Sequence, residues 1–148
     1  PAAEAESLVR RASRLLVAGA ALRVPLVAVI LRRGYGLGAQ AMTGGSLHEP
    51  VLTVAWPGAH LGPMGLEGAV RLGLRKELDA IADDAEREER VRQVTAVAQE
   101  NAKALNAAAL FEIDDVIDPA ETRELIAATL SAATGRGQPP PRRFVDTW

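Results

Sequence analysis

Three features of the sequence predict an α/β fold. Two short, continuous apolar runs, LVAVIL at 26–31 and VLTVA at 51–55, have the length and β-branched content of strands. A glycine-rich turn at 34–38 follows the first run, and most of the chain after Gly65 carries helical periodicity. Strands interleaved with helices in this way assemble as layered α/β structure.

The elements follow in order. Within 4–22, Leu8, Ala12, Leu15, Leu16 and Gly19 share one helical face, while Arg10, Arg11 and Arg14 cluster on the other side. Val24-Pro25 ends that helix, because proline disfavours helix in the residue before it. The run 26–31 is then expected as a strand buried on both faces. Residues 34–42 read as a turn entering a short helix. The run 51–55 reads as a second buried strand, stopped by Trp56-Pro57-Gly58.

One helix is expected over 66–81, with Val70, Leu74 and Leu78 at four-residue spacing. A longer one is expected over 83–110, charged at first and then alanine-rich. Asp118-Pro119-Ala120-Glu121 is a helix start: Asp as N-cap, Pro at the first helical position and Glu at the third. That helix runs to about Ala133, Gly135 closes it, and the tail from Pro139 to Arg143 is expected in polyproline conformation. No internal repeat or interdomain linker is visible. The organisation expected is a ββα-type core with its glycine-rich turn over 1–81, then a helical extension and tail over 82–148.

Composition narrows the function classes. A chain of 148 residues, 48% apolar and 24% charged, is globular rather than disordered or fibrous. A net charge of −2 argues against phosphate neutralisation and hence against a nucleic-acid partner. No basic half hides behind that value: six basic and four acidic residues lie up to Val70, and eleven and fifteen complete the chain. The absence of cysteine excludes a disulfide framework, a thiolate metal site and a cysteine nucleophile. The longest apolar stretch, 24–31, is far short of the ~18 residues of a membrane span, so no membrane partner is expected. The chain opens on Pro1 rather than Met, so a preceding segment is expected.

The segment from Gly34 to Met42 is the main chemical candidate. A strand that turns through glycines into a helix leaves backbone N–H groups unpaired at the turn. With the helix dipole, such donors suit an anion or a developing oxyanion. Glycine permits close approach and positive φ there. A tight structural turn is the alternative reading of the same residues. Gly34-x-Gly36-x-x-Ala39 also fits the dinucleotide fingerprint, yet the next strand ends in Ala55-Trp56-Pro57 without the acid that a ribose needs.

Other candidates read as structural. His48 and His60, the only histidines, lack metal-ligand spacing, and no metal site is predicted. Ser7, Ser13, Ser46 and Ser131 lack a nucleophile-elbow context. The charge run 83–90 suits a solvated helix face, with Glu86 and Arg90 in the favourable i,i+4 order. Glu112, Asp114, Asp115 and Asp118 lack the pattern of a calcium loop and suit capping and turn chemistry.

Four stretches in fixed order then resemble one family. They are Arg33-Gly34-Tyr35-Gly36-Leu37-Gly38-Ala39-Gln40-Ala41-Met42, Val54-Ala55-Trp56-Pro57, Met64-Gly65-Leu66-Glu67-Gly68-Ala69-Val70, and the segment from Phe111 to Arg123. The chain resembles the C-terminal part of the carboxyltransferase (β) subunit of biotin-dependent acyl-CoA carboxylases, of the acetyl-/propionyl-CoA type. The resemblance implies a crotonase-like (ClpP/crotonase) fold, here the incomplete second half of a two-domain carboxyltransferase. It implies transfer of a carboxyl group from N-carboxybiotin to a short-chain acyl-CoA.

The same resemblance puts the biotin-side oxyanion hole on the N–H groups of Leu37 and Gly38. Gly34, Tyr35, Gly36, Ala39 and Gln40 become substrate-binding positions. Biotin would arrive on a carrier protein or domain, since neither Lys76 nor Lys103 lies in a biotin-attachment motif. The partners implied are acyl-CoA, a biotin carboxyl carrier or biotin carboxylase subunit, and further copies in a dimer or hexamer. A cytoplasmic location is also implied. The Gly-Gly-Ala-Tyr-Asp common in propionyl-type members reads Gly36-Leu37-Gly38-Ala39-Gln40 here, and the Asp that influences acyl preference is replaced by Gln40. A non-catalytic assembly module and a biotin-dependent acyl-CoA decarboxylase are the alternative expectations.

Overall fold

The computed structural model describes residues 8–133. The expectations for residues 4–7, for Gly135 and for the tail at 139–143 lie outside them. The chain runs α1 (Leu8–Ala20), β1 (Val27–Ile30), β2 (Arg33–Tyr35), α2 (Gly36–Met42), β3 (Leu52–Ala55) and β4 (His60–Gly62). It continues through α3 (Leu66–Gly73), α4 (Arg75–Asp79), α5 (Asp84–Asn101), α6 (Ala104–Ala109) and β5 (Asp115–Val116). A 3₁₀ turn (Pro119–Glu121) then leads into α7 (Thr122–Ala133).

The strands form two small parallel sheets, β1-β3-β5 and β2-β4. In the first, Val27 to Ile30 pair in register with Leu52 to Ala55. Central β3 has a strand on each side, and its Thr53, Val54 and Ala55 are at most 1% exposed. Edge strand β1 is only half-buried along its length, which corrects the expectation of burial on both faces. The two runs look alike in sequence. Burial differs because β1 has a neighbour on one side only.

Three elements escape the periodicity. Strands β2 and β4 are three residues each, and β5 is two, too short for an alternation to register. Long-range bonds define them instead. Asp114 N–H donates to the Thr53 carbonyl (2.8 Å), while Asp114 Oδ2 accepts from Thr53 N–H (2.7 Å), drawing β5 onto β3.

Two predicted helices are each divided. The 66–81 helix breaks at Leu74 (φ −99°, ψ 16°), after Gly73, whose backbone freedom disfavours helix. The 83–110 helix breaks at Ala102-Lys103, where Lys103 turns extended (φ −57°, ψ 140°). There Leu61 N–H donates to the Ala102 carbonyl (2.8 Å) and Ala104 N–H to the Ala59 carbonyl (2.9 Å). The strand edge at β4 thus takes backbone groups that a continuous helix would have kept.

Two apolar clusters hold the structure. Ala55, Ala59, Leu61, Ala104, Ala107 and Ile113 form one, joining the sheets to α6 and the approach to β5. A core therefore crosses the boundary expected after Ile81. Val70, Leu78 and Val91 form the other, between α3, α4 and α5, with Leu74, Ile81 and Val94 packed against it. Asp118 accepts from Ala120 N–H (2.8 Å) and caps the 3₁₀ turn with Pro119 at its first position. Trp56 Nε1–H donates to Thr122 Oγ1 (3.0 Å), tying the end of β3 to the start of α7.

The charge run does lie on a helix, but Glu86 and Arg90 do not pair with each other among the described residues. Arg90 bonds to Glu77 (2.8 Å) across the α4–α5 packing, and Glu86 N–H is capped by Asp83 Oδ1 (2.9 Å). Arg71 on α3 holds Glu88 on α5 with both Nη atoms (3.0 and 2.7 Å) while also meeting Glu67 (3.0 Å).

Candidate functional site

The glycine-rich segment is a short strand leading directly into a helix. Residues Arg33–Tyr35 pair with His60–Gly62, and α2 starts at Gly36. Gly36 has φ +60°, and a Cβ there would fall 2.8 Å from the Pro63 carbonyl oxygen. Backbone conformation and space both demand glycine. At Gly34 a Cβ would sit 3.3 Å from Ile30 Cγ2, so the turn back from β1 is also closely packed.

Helix α2 is open at one end and fastened at the other. Its N-cap, Tyr35, is extended (φ −113°, ψ 136°) and makes no side-chain cap bond. The N–H groups of Leu37 and Gly38 belong to the first turn, which has no intrahelical acceptors. Leu37 is 70% exposed, and a Cβ on Gly38 would meet nothing within 4 Å. At the C-terminus, buried Thr43 donates from Oγ1 to the Ala39 and Gln40 carbonyls (both 3.0 Å), and Gly45 N–H donates to Gln40 (2.7 Å). Helix α1 closes on this end: a Cβ on Gly19 would lie 2.7 Å from Gly44 Cα. The fastened end presents the open one to solvent.

The expected site residues divide between two surfaces. Leu37, Gly38 and Gln40 are exposed, while Gly34, Tyr35, Gly36 and Ala39 are half-buried. Tyr35 lines a cleft of about 510 Å³, together with Arg32, Arg33, His60, Thr95 and Gln99. Leu37, Gly38 and Gln40 are not part of that cleft. Sequence reasoning missed Thr95 and Gln99, because only the packing of α5 brings them near β2. His60 is half-buried in the cleft wall, whereas His48 is exposed. Among the described residues no three His, Asp or Glu side chains gather as metal ligands. Among them, too, no helix is long and apolar enough to cross a membrane.

The strongest electrostatic perturbations lie away from this segment. Hydrogen bonds donated to Glu88 and then to Glu67 hold the Arg71 guanidinium protonated well above its ordinary range. The reciprocal bond from Arg71 lowers the Glu88 carboxyl, and Arg92 with Gln93 lowers Glu89. These pairs clasp α3 to α5 and cap α5's exposed face; they do not converge on the α2 turn. Of the acidic residues in 112–118, Asp114, Asp115 and Asp118 serve backbone roles, accepting from Thr53, Val116 and Ala120 N–H.

Residues 1–145 match the family model described as "Carboxyl transferase domain". The methylmalonyl-CoA carboxyltransferase 12S subunit of Propionibacterium freudenreichii subsp. shermanii is 36% identical over 92% of this chain and 25% of its own length. The carboxyltransferase subunit of propionyl-CoA carboxylase from Haloferax mediterranei is 37% identical over 86% and 24%. The chain thus spans about a quarter of the curated relatives it matches. Among solved structures, a single-chain, multi-domain long-chain acyl-CoA carboxylase is 51% identical with a TM-score of 0.76, over 87% of this chain and 13% of that one. The transcarboxylase 12S hexamer is 33% identical with a TM-score of 0.74, over 95% and 26%. The fold is accordingly a partial, crotonase-like carboxyltransferase domain. By its family model, its relatives and its fold, the chain belongs to the carboxyl transferase domain family.

Proposed function

We propose that this chain is the biotin side of an acyl-CoA carboxyltransferase, part of a biotin-dependent acyl-CoA carboxylase. The observation that carries the reading is the uncapped first turn of α2, in a chain whose family match runs from residue 1 to 145. The N–H groups of Leu37 and Gly38 would hold the ureido oxygen of biotin, and the open space at Gly38 lets a ligand oxygen come close. Bound biotin, carried by a partner protein or domain, supplies the carboxyl group and the acceptor for the acyl α-proton. The chain itself then needs no side-chain base.

What the chain contributes is fixed dipoles. Negative charge grows on the ureido oxygen as the carboxyl group leaves, and donors held by the helix stabilise it without reorganising. Each such donor is worth roughly 2.7–4 kcal/mol in measured cases. Gly36 sets the direction of the first turn, the Thr43 bonds keep α2 from shifting, and Gly34, Tyr35 and Ala39 shape the approach. The acyl-CoA, the biotin carrier and further copies of the subunit are the partners in this reading, and the cytoplasm is the compartment.

Gln40 bears on the acyl group. The short-chain preference expected from the resemblance competes with the 51% likeness to a long-chain acyl-CoA carboxylase, and the higher identity favours the longer substrate. The test uses the whole protein that contains this chain, assayed with its biotin carrier on acetyl-, propionyl- and palmitoyl-CoA. Carboxylation is expected, and Gln40→Asp is expected to shift the profile toward propionyl-CoA. No transfer to any acyl-CoA would overturn the reading. A second reading, decarboxylation, is favoured by the 31% identity to the methylmalonyl-CoA decarboxylase subunit alpha of Propionigenium modestum. Net release of CO₂ from methylmalonyl-CoA without net carboxylation would select it.

A further inference from the structure

We propose that the cleft between β2, β4, α3 and α5 is a second ligand site, built for a phosphate-bearing small molecule. Besides Glu67, six side chains capable of hydrogen bonding line it: Arg32, Arg33, Tyr35, His60, Thr95 and Gln99. Elsewhere the described arginines of α3 and α5 are engaged: Arg71, Arg87, Arg90 and Arg92 all hold carboxylates. Among the described residues, none of the six cleft side chains has a side-chain hydrogen bond or ion pair. Thr95 Oγ1 is buried without any partner, the only such buried side-chain atom among them. A buried polar atom left unpaired is costly and calls for an explanation in function or solvent.

The composition of the walls selects the ligand. Two guanidiniums, an imidazole, an amide and two hydroxyls are mainly donors, so they suit an acceptor-rich anion. A planar carboxylate is satisfied by a single guanidinium fork, whereas a tetrahedral phosphate accepts from several directions at once. Glu67 also borders the cleft, but its charge is matched by Arg71 at 3.0 Å. The volume of about 510 Å³ lies within the roughly 300–1,000 Å³ of small-molecule sites and exceeds a bare ion. Gly65 and Gly68 border it without a side chain, and a Cβ on either would meet nothing within 4 Å. The site is separate from the N–H groups of Leu37 and Gly38, which do not line it, although Tyr35 borders both, and it does not depend on the function proposed above.

The test is a nitrogen-15 NMR titration of the full 148-residue chain with inorganic phosphate, against sodium chloride at matched ionic strength. Saturable shifts are expected at the Gly65, Gly68, Thr95 and Gln99 amides with phosphate alone. Arg32→Gln combined with Arg33→Gln is expected to weaken binding about 100-fold, roughly tenfold for each charge-assisted bond lost. Thr95→Val is expected to raise the melting temperature and still weaken phosphate binding, which separates a ligand role from a structural one. Gly68→Leu, compatible with a helix, is expected to fill the cleft and abolish the shifts. ADP and coenzyme A then distinguish the source: tighter binding of either than of phosphate supports the site and identifies a nucleotide or a CoA phosphate. Equal responses to phosphate and chloride would overturn the proposal, as would undiminished phosphate binding in the arginine variant.

Discussion

The α2 turn and the α3–α5 clasp are built by opposite means. At the turn the backbone does the work: Gly36 sets the conformation, Tyr35 leaves the helix uncapped, and side chains are absent where a ligand would approach. In the clasp the side chains do it, with Val70, Leu78 and Val91 packed beneath a layer of arginine–glutamate pairs. The clasp is saturated with partners, and the turn is left short of them. Under the function proposed above, that difference separates a region serving stability from one serving chemistry, and each is expected to be perturbed without the other.

The largest expected effect is on the clasp. Leu78 is 4% exposed in a small cluster, and Leu78→Ala is expected to cost about 2–5 kcal/mol of stability. Urea denaturation measures it; a loss below that range would mean the helices close over the gap. Gly38→Val is the counterpart at the turn. The space around Gly38 is open, so the fold should hold, yet the added methyl groups would stand between the N–H groups and a ligand oxygen. A fall of at least ~100-fold in carboxyl transfer by the whole protein is expected, with an unchanged melting temperature. Undiminished turnover would remove the turn from the mechanism.

Gly36 tests whether the turn's backbone is as demanding as it looks. Gly36→Ala forces a side chain into φ +60° and against the Pro63 carbonyl, so a destabilisation of at least about 1–2 kcal/mol is expected. Gly38→Ala, two residues on, should cost nothing measurable. Equal melting temperatures for the two variants would erase the distinction between a conformationally required glycine and a freely replaceable one within one helical turn.

This contrast also explains what could be read in the sequence. The helices, β3 and the Asp118-Pro119 start were legible because periodicity and capping are local. The strand-to-helix turn was legible because glycine spacing is local too. The exposed difference between β1 and β3 was not, since position within a sheet depends on which strands pair. Neither were β2, β4 and β5, whose register comes from partners such as Thr53 for Asp114, 61 residues away. Charge pairing failed for the same reason: Arg90 has Glu86 at helical spacing, yet takes Glu77 from the facing helix. The turn's donors were foreseeable, whereas the neighbouring cleft needed α5 to deliver Thr95 and Gln99.

The smallest effect sharpens the comparison through pH. Arg71 lowers the Glu88 carboxyl in the folded chain, so the unfolded chain binds more protons around the ordinary glutamate range. The clasp's electrostatic contribution is therefore present above that range and is lost as pH falls through the lowered folded value. Arg71→Gln should return Glu88 toward its ordinary value and flatten the dependence of the urea midpoint between about pH 3 and pH 6. Because both partners are exposed, salt should shrink the difference between wild type and variant. The α2 turn has no ionisable side chain between Gly36 and Met42, so Gly38→Val should leave the slope untouched. If Gly38→Val altered the pH dependence as much as Arg71→Gln, the two regions would be coupled and the division of labour between them would fail.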